Sequence, residues 1–260
     1  MVWYSKKMKK THVLFAFLCA SFLLVWCIPN KAWAFGTRSI FDSVHVYTST
    51  LPTLVVREAW GFQKKIFVEP SALSKEPCVM YGIGIARDLT FEVTMKNHGC
   101  DVYAFDCTSP PYMMDRARDA GITFYPWCIG TQHAFNADNG YIKESDPNAL
   151  TQFKSLAQVM ITLQHSYVSL LKMDIEGFEW GVFESLLVDE KTIWPQQLAF
   201  ELHLEGTNPK AVNPELVQGK TPDIMHDLFH RLQNVGYKVV YKQLNPTDSF
   251  CCEFTLYLVQ

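Results

Sequence analysis

Two short stretches, "LLKMDIEGFEW" (170–180) and "QLAFELH" (197–203), hold five side chains able to move protons or hold a cation. In the first, Asp174 and Glu176 lie two apart at the end of an apolar run. Glu179 follows three positions on. In the second, Glu201 and His203 are also two apart, and alternation along a strand puts each pair on one side. His203, with an ordinary pKa near neutrality, is expected to act as a base that takes a proton from an attacking hydroxyl. Asp174 and Glu176 are expected to share that catalytic work, with Glu179 and Glu201 lining an acidic acceptor pocket. No residue is assigned as a metal ligand. The same carboxylates could hold a hard divalent ion such as Mg²⁺, the alternative use of the cluster. Glu176 and Glu179 could also simply favour the start of a helix, where acids are electrostatically suited.

A second motif could bind a cofactor. "VMYGIGIARD" (79–88) places Gly82 and Gly84 after an apolar run, with Ala86 the last small residue. Bare backbone at a strand end lets N–H groups approach a ligand, or merely allows a tight turn. Asp106 ends the next apolar run, "CDVYAFD", 24 positions after Gly82, where a carboxylate can accept from both ribose hydroxyls of a nucleoside. A dinucleotide fingerprint needs a third small residue at position 87, which here is Arg87. The pattern therefore suits S-adenosylmethionine, which has no pyrophosphate, better than NAD. No Tyr-x-x-x-Lys pair and no phosphate-cradling GxxxxGK[ST] occur, which argues against an NAD-dependent oxidoreductase and against nucleoside triphosphates.

The elements that must position these residues alternate from Cys78 onward. Strand-like runs at 78–83, 100–106, 122–129, 167–175 and 196–204 are separated by helix-like ones, the longest over 148–166. Two strand-like runs, "YKVVYKQL" and "EFTLYLV", close the chain with no helix between them. The pattern predicts an α/β, doubly wound, Rossmann-like sheet of seven strands with the last one antiparallel. Residues 35–75 read as an N-terminal extension or cap with weak structure, and 76–260 as the catalytic domain. His226 and His230, one helical turn apart, read as a solvated helix face rather than a metal pair. Trp127 reads as core, or as an apolar wall beside an adenine.

Residues 1–34 have another character: four lysines among the first ten, an uncharged apolar run over 13–28, then "AWA". This is the plan of a secretory signal peptide or a short signal anchor, so the expected location is the secretory pathway: secreted, or in the Golgi or endoplasmic reticulum lumen. The membrane would then be met only through that segment. The leader carries five of the 23 basic residues and no acid, leaving 18 basic against 26 acidic, a net of −8. With no basic stripe, nucleic acid is not an expected partner. Six cysteines remain beyond the leader, an even set that permits disulfides. Cys107 and Cys128 end neighbouring strands and could bridge, or stand as two buried thiols.

"YGIGIARDLTFE", "CDVYAFDCT", "LLKMDIEGFEW" and "QLAFELH" occur in the order of the motifs of methyltransferase-like proteins related to the FkbM family, and residues 57–257 resemble that family. The resemblance implies a class I methyltransferase fold and S-adenosylmethionine as cofactor. It implies that Tyr81, Gly82, Gly84 and Ala86 line the cofactor, and that Asp106 holds its ribose. Relatives often carry glycine where this chain has Ala86. The expected activity is methyl transfer to an oxygen, in preference to a nitrogen, of a small molecule or glycan. The rival expectation is a non-catalytic secreted module whose pocket has decayed.

Overall fold

The computed structural model describes residues 39–57, 64–73, 76–130, 153–188 and 193–259. The leader and the segment 131–152 lie outside the described residues, and with them residues 148–152 of the predicted 148–166 helix. The described residues after Ser39 form one compact unit.

The first elements among the described residues are an antiparallel hairpin, β1 (Thr53–Arg57) and β2 (Lys64–Val68). Then β3 (Val79–Ile83), α1 (Thr90–Asn97), β4 (Asp101–Phe105), α2 (Tyr112–Asp119) and β5 (Thr123–Tyr125) alternate as expected. The expected third strand breaks at Pro126, which has no N–H to donate to a ladder. Its remainder, β6 (Cys128–Ile129), leaves the main sheet and pairs in parallel with β7 (Phe153–Lys154). Helix α3 (Leu156–Leu163) is shorter than expected. Ser155 and Gln158 form a capping box at its start, and Gln164, at φ +58°, ends it. Next come β8 (Leu170–Met173), α4 (Glu179–Val188), β9 (Gln197–His203), α5 (Pro222–Val235), β10 (Tyr237–Leu244) and β11 (Cys251–Leu258). Helix α5 follows a clean amphipathic rule: Met225, Leu228, Phe229 and Leu232 are buried, Thr221 caps the start and Gly236 the end.

The seven-stranded sheet runs β10-β11-β9-β8-β3-β4-β5, with β11 antiparallel to both neighbours and the other strands parallel. This is the Rossmann-like class I methyltransferase sheet. One face is packed by α3, α4 and α5 over Tyr81, Phe105, Met173, Phe200 and Phe254. The other is packed by α1, α2 and the hairpin over Met80, Val102, Ala104 and Ala199. The extension read as weakly structured is thus partly a fixed hairpin. Lys65 Nζ donates to both oxygens of Glu253 at 2.7 Å, with Lys65 wholly buried and Glu253 only 1% exposed. Gln197 closes a pair of bonds with the Val68 backbone.

Two disulfides pin β4 at both ends. Cys107–Cys128 joins its exit to β6, and Cys78–Cys100 joins the residues entering β3 and β4. The second is readable in retrospect, because adjacent parallel strands in register from Val79 and Asp101 put residues 78 and 100 side by side. Cys251 and Cys252 are free and buried.

Candidate functional site: two cavities at the strand ends

The sheet reverses its order between β3 and β8, and the crevice outside the carboxyl ends of such strands is where open α/β sheets bind ligands. The glycine turn lies there, but for reasons other than those expected. A Cβ on Gly82 would collide with the Glu92 carboxylate of α1, and Gly82 lines neither cavity described below. Gly84, at φ +76°, lies so close to the Asp174 carbonyl that a side chain has no room. Gly84 is thus required by the chain's own backbone, Gly82 makes room for the Glu92 side chain, and of the two Gly84 alone faces a cavity. Ala86 stands at φ +45°, a conformation natural to glycine and strained for alanine.

Asp106 departs from expectation too. Its Oδ2 accepts from the N–H groups of Ile85 and Ala86, at 3.1 and 2.7 Å. Its Oδ1 accepts from Thr108 N, Thr108 Oγ1 and Ser109 N, at 2.7–3.0 Å. Five donors fill a carboxylate with about four lone-pair sites. Asp106 therefore ties the β3 turn to the β4 exit while bordering the first cavity described below. Tyr81 is also displaced from its expected role: alternation turns it into the helical core, where its hydroxyl bonds His165 Nδ1 at 2.6 Å.

Two cavities meet over this turn. The first, ≈190 Å³, is walled by Phe105, Trp127, Ile129, Phe153 and Phe178, with the Cys107–Cys128 bridge in its lining. Trp127 stacks on Tyr125 with centroids 4.3 Å apart, fixing a flat apolar surface. The second, ≈370 Å³, is acidic: Asp88, Glu92, Asp174, Glu176, Glu201 and Asp248 face it. Gly84, Ala86, Asp174 and Glu176 border both.

The acidic cavity brings together four of the five residues singled out for chemistry. The β8–β9 register, read one step beyond Met173↔Phe200, sets Asp174 opposite Glu201, and β11 adds Glu253 opposite Glu201. The expected pocket residue Glu179 is instead wholly buried beneath the turn. Its carboxylate accepts from Ile175 N and Gly177 N, both at 2.8 Å. That grip holds Glu176 at φ +54°, another strained position. His203 is 2% exposed; its Nε2 lies 3.4 Å from Glu176 and 3.6 Å from Glu201, its Nδ1 3.6 Å from Glu179.

The carboxylates at these distances favour a charged His203. Burial disfavours the imidazolium, but Glu179, Glu201 and Asp174 outweigh it and raise its pKa to about 10. A ring so surrounded holds its proton firmly, which disfavours the expected role of a base and favours that of a positive charge among the carboxylates. Burial raises Glu201 above the ordinary carboxylate range and Asp174 raises it further, with His203 and the Asn245 amide opposing. Glu176, half-exposed, is raised by partial burial and then by Asp174, with His203 opposing. Of the cluster, Glu176 combines access to both cavities with a proton affinity brought toward neutrality. Lys65, Asn245 and Glu253 were missed by sequence reading, since nothing local marks strand or turn residues as part of a site built far away. His226 bonds Ser43, and His230 bonds Asn234.

Comparison with known proteins agrees with this architecture. A family model described as "Methyltransferase domain" matches residues 55–258. Two curated relatives, both named probable methyltransferase-like protein 24, are 28% identical: the human protein over 137 residues and the rat protein over 177. The matches cover 51% and 66% of this chain but only 34% and 46% of those relatives. Among solved structures, the Burkholderia thailandensis 1,6-didemethyltoxoflavin-N1-methyltransferase, determined with S-adenosylhomocysteine, is 11% identical with a TM-score of 0.37, covering 99% of this chain and 94% of its own. The Methanococcus jannaschii fibrillarin pre-rRNA processing protein is 12% identical with a TM-score of 0.38, covering 85% and 87%. Likenesses this distant leave the acceptor open. The sheet order, the crevice at its switch point and a family match over most of the sequence agree: this chain belongs to the methyltransferase domain family.

Proposed function

We propose that the chain is an S-adenosylmethionine-dependent methyltransferase acting on a hydroxyl of a small molecule or glycan in the secretory pathway. The observation that carries this reading is the common border of the two cavities, where Gly84, Ala86, Asp174 and Glu176 separate an aromatic chamber from an acidic one. The aromatic chamber suits a nucleoside: Phe105, Trp127, Ile129 and Phe178 offer flat apolar surface, and Thr108 a hydroxyl at its edge. When bound, the cofactor supplies a methyl group on a cationic sulfur, a charge that the neighbouring carboxylates favour. Glu176 takes the acceptor's proton, Asp174 orients the acceptor oxygen, and the His203 cation steadies the carboxylates around it. Placing acceptor and methyl in line does most of the work. The leader-like first 34 residues and the two disulfides support an oxidising compartment.

Calorimetric titration of the purified chain with S-adenosylmethionine and with NAD tests the reading. Binding of S-adenosylmethionine alone is expected, weakened about tenfold in Trp127→Ala through the lost stacking surface. A folded chain that binds neither would leave a decayed binding module as the better description.

A further inference from the structure

The peptide unit joining Gly84 to Ile85 is gripped at both of its polar ends. Its oxygen accepts from Lys172 Nζ at 2.8 Å, and its N–H donates to Asp106 Oδ2 at 3.1 Å. The strand order β8-β3-β4 explains the grip, since Lys172 belongs to one neighbour of β3 and Asp106 follows the other. A cation at the oxygen and an anion at the N–H both match the peptide's own dipole, and such charge-assisted bonds are the strong ones. The same peptide stands between the two cavities. Gly84 borders both, Lys172 lines only the acidic one, and Asp106 only the aromatic one.

The turn depends on partners of this kind. Left-handed backbone at Gly84 and Ala86, φ +76° and +45°, takes it out of the extended strand. Gly84 N donates to Phe105 O, Ala86 N joins Ile85 N on Asp106, and Ala86 O accepts from Ser109 Oγ. The three N–H groups of residues 84–86 are thus all engaged within the chain, and a ligand meets a preset wall there. Lys172 is only 4% exposed, and an ammonium is costly to take out of water. It stands opposite Gly82 in the ladder, where the bare backbone leaves space that the Glu92 carboxylate enters. A charge buried at that cost, and aimed at the one carbonyl on the border of both cavities, is better explained by the site than by the core.

We propose that Lys172 is a positioning residue for methyl transfer: through the Gly84 carbonyl it fixes the partition against which cofactor and acceptor are set. The role rests on the reading of the aromatic chamber as the cofactor site.

The purified chain is compared with Lys172→Met and Lys172→Gln, circular dichroism checking that each is folded. Calorimetry measures S-adenosylmethionine binding. Amide hydrogen exchange, recorded without cofactor, is followed at Ile85 and, as a reference for global opening, at Phe254 in β11. Each variant is expected to bind S-adenosylmethionine about 10–100-fold more weakly, the weight of a lost hydrogen bond to a charged group. Exchange at Ile85 is expected to quicken well beyond that at Phe254, which a merely structural loss would quicken equally. Cofactor binding unchanged in a folded variant, or exchange at Ile85 rising only in step with Phe254, overturns the proposal. A wild-type chain that binds no S-adenosylmethionine removes the cofactor reading instead, and the exchange comparison, made without cofactor, then decides by itself whether Lys172 holds the turn.

Discussion

Glu176 sits at φ +54° because Glu179, three residues on, seizes the N–H groups on either side of it. Left-handed backbone at a non-glycine residue costs about 1 kcal/mol or more, and the surrounding carboxylates add to the strain of keeping this one there. Such a cost at a cavity border fits a residue retained for chemistry. Glu176→Gly is accordingly expected to raise stability by up to about 1 kcal/mol in urea unfolding while abolishing methyl transfer. Unchanged turnover in that variant would remove Glu176 from the proton-accepting role. At this scale the sequence was informative where alternation applies: Asp174 and Glu201 meet because their strands are parallel and in register. It misled where alternation was not followed backwards. Tyr81 and Gly82 adjoin the turn in sequence, yet the strand aims one into the helical core and the other at Glu92. Asp106 was correctly placed in space, but no single strand reveals that five donors already converge on it.

Among the elements, the β1–β2 hairpin contributes most beyond expectation. Lys65 reaches from it into the sheet face that bears the acidic row, and satisfies Glu253 where water does not reach. Removing one partner of a buried pair strands the other charge, so Lys65→Met is expected to cost about 3–5 kcal/mol. Lys65→Met with Glu253→Leu should recover most of that loss, because an apolar pair of similar volume needs no partner. Thermal unfolding of the two variants gives the comparison, and equal losses in both would mean that the hairpin is held by something other than the pair. The alternating elements from β3 to β11 were legible because each has a long apolar run and a clear stop. The hairpin was not, because Lys64 and Lys65 make its second strand read as surface. Likewise Pro126 splits one apolar run into two ladders, β5 in the main sheet and β6 outside it.

Across the whole molecule, the disulfides divide the labour between stability and binding. Each closes a loop of similar length, with sequence separations of 22 and 21, so each is expected to contribute about 3 kcal/mol by restricting the unfolded chain. Only Cys107–Cys128 lines the aromatic chamber. Cys78→Ala with Cys100→Ala should therefore lower the urea midpoint alone, whereas Cys107→Ala with Cys128→Ala should also weaken cofactor binding. Equal binding in both pairs would detach the second bridge from the chamber. A different consequence follows from the path of the chain. Strand β11 lies between β9 and β10, and its Glu253 meets Lys65 across 188 residues of sequence. A nascent chain still threaded through the ribosome or a translocation pore at that point has its central ladder open beside β9 and a lysine without its counter-charge. The sheet closes only when nearly all of the described chain has emerged, so synthesis arrested or clipped short of residue 251 yields a species with an open sheet edge, a substrate for chaperones and proteases rather than a smaller working enzyme.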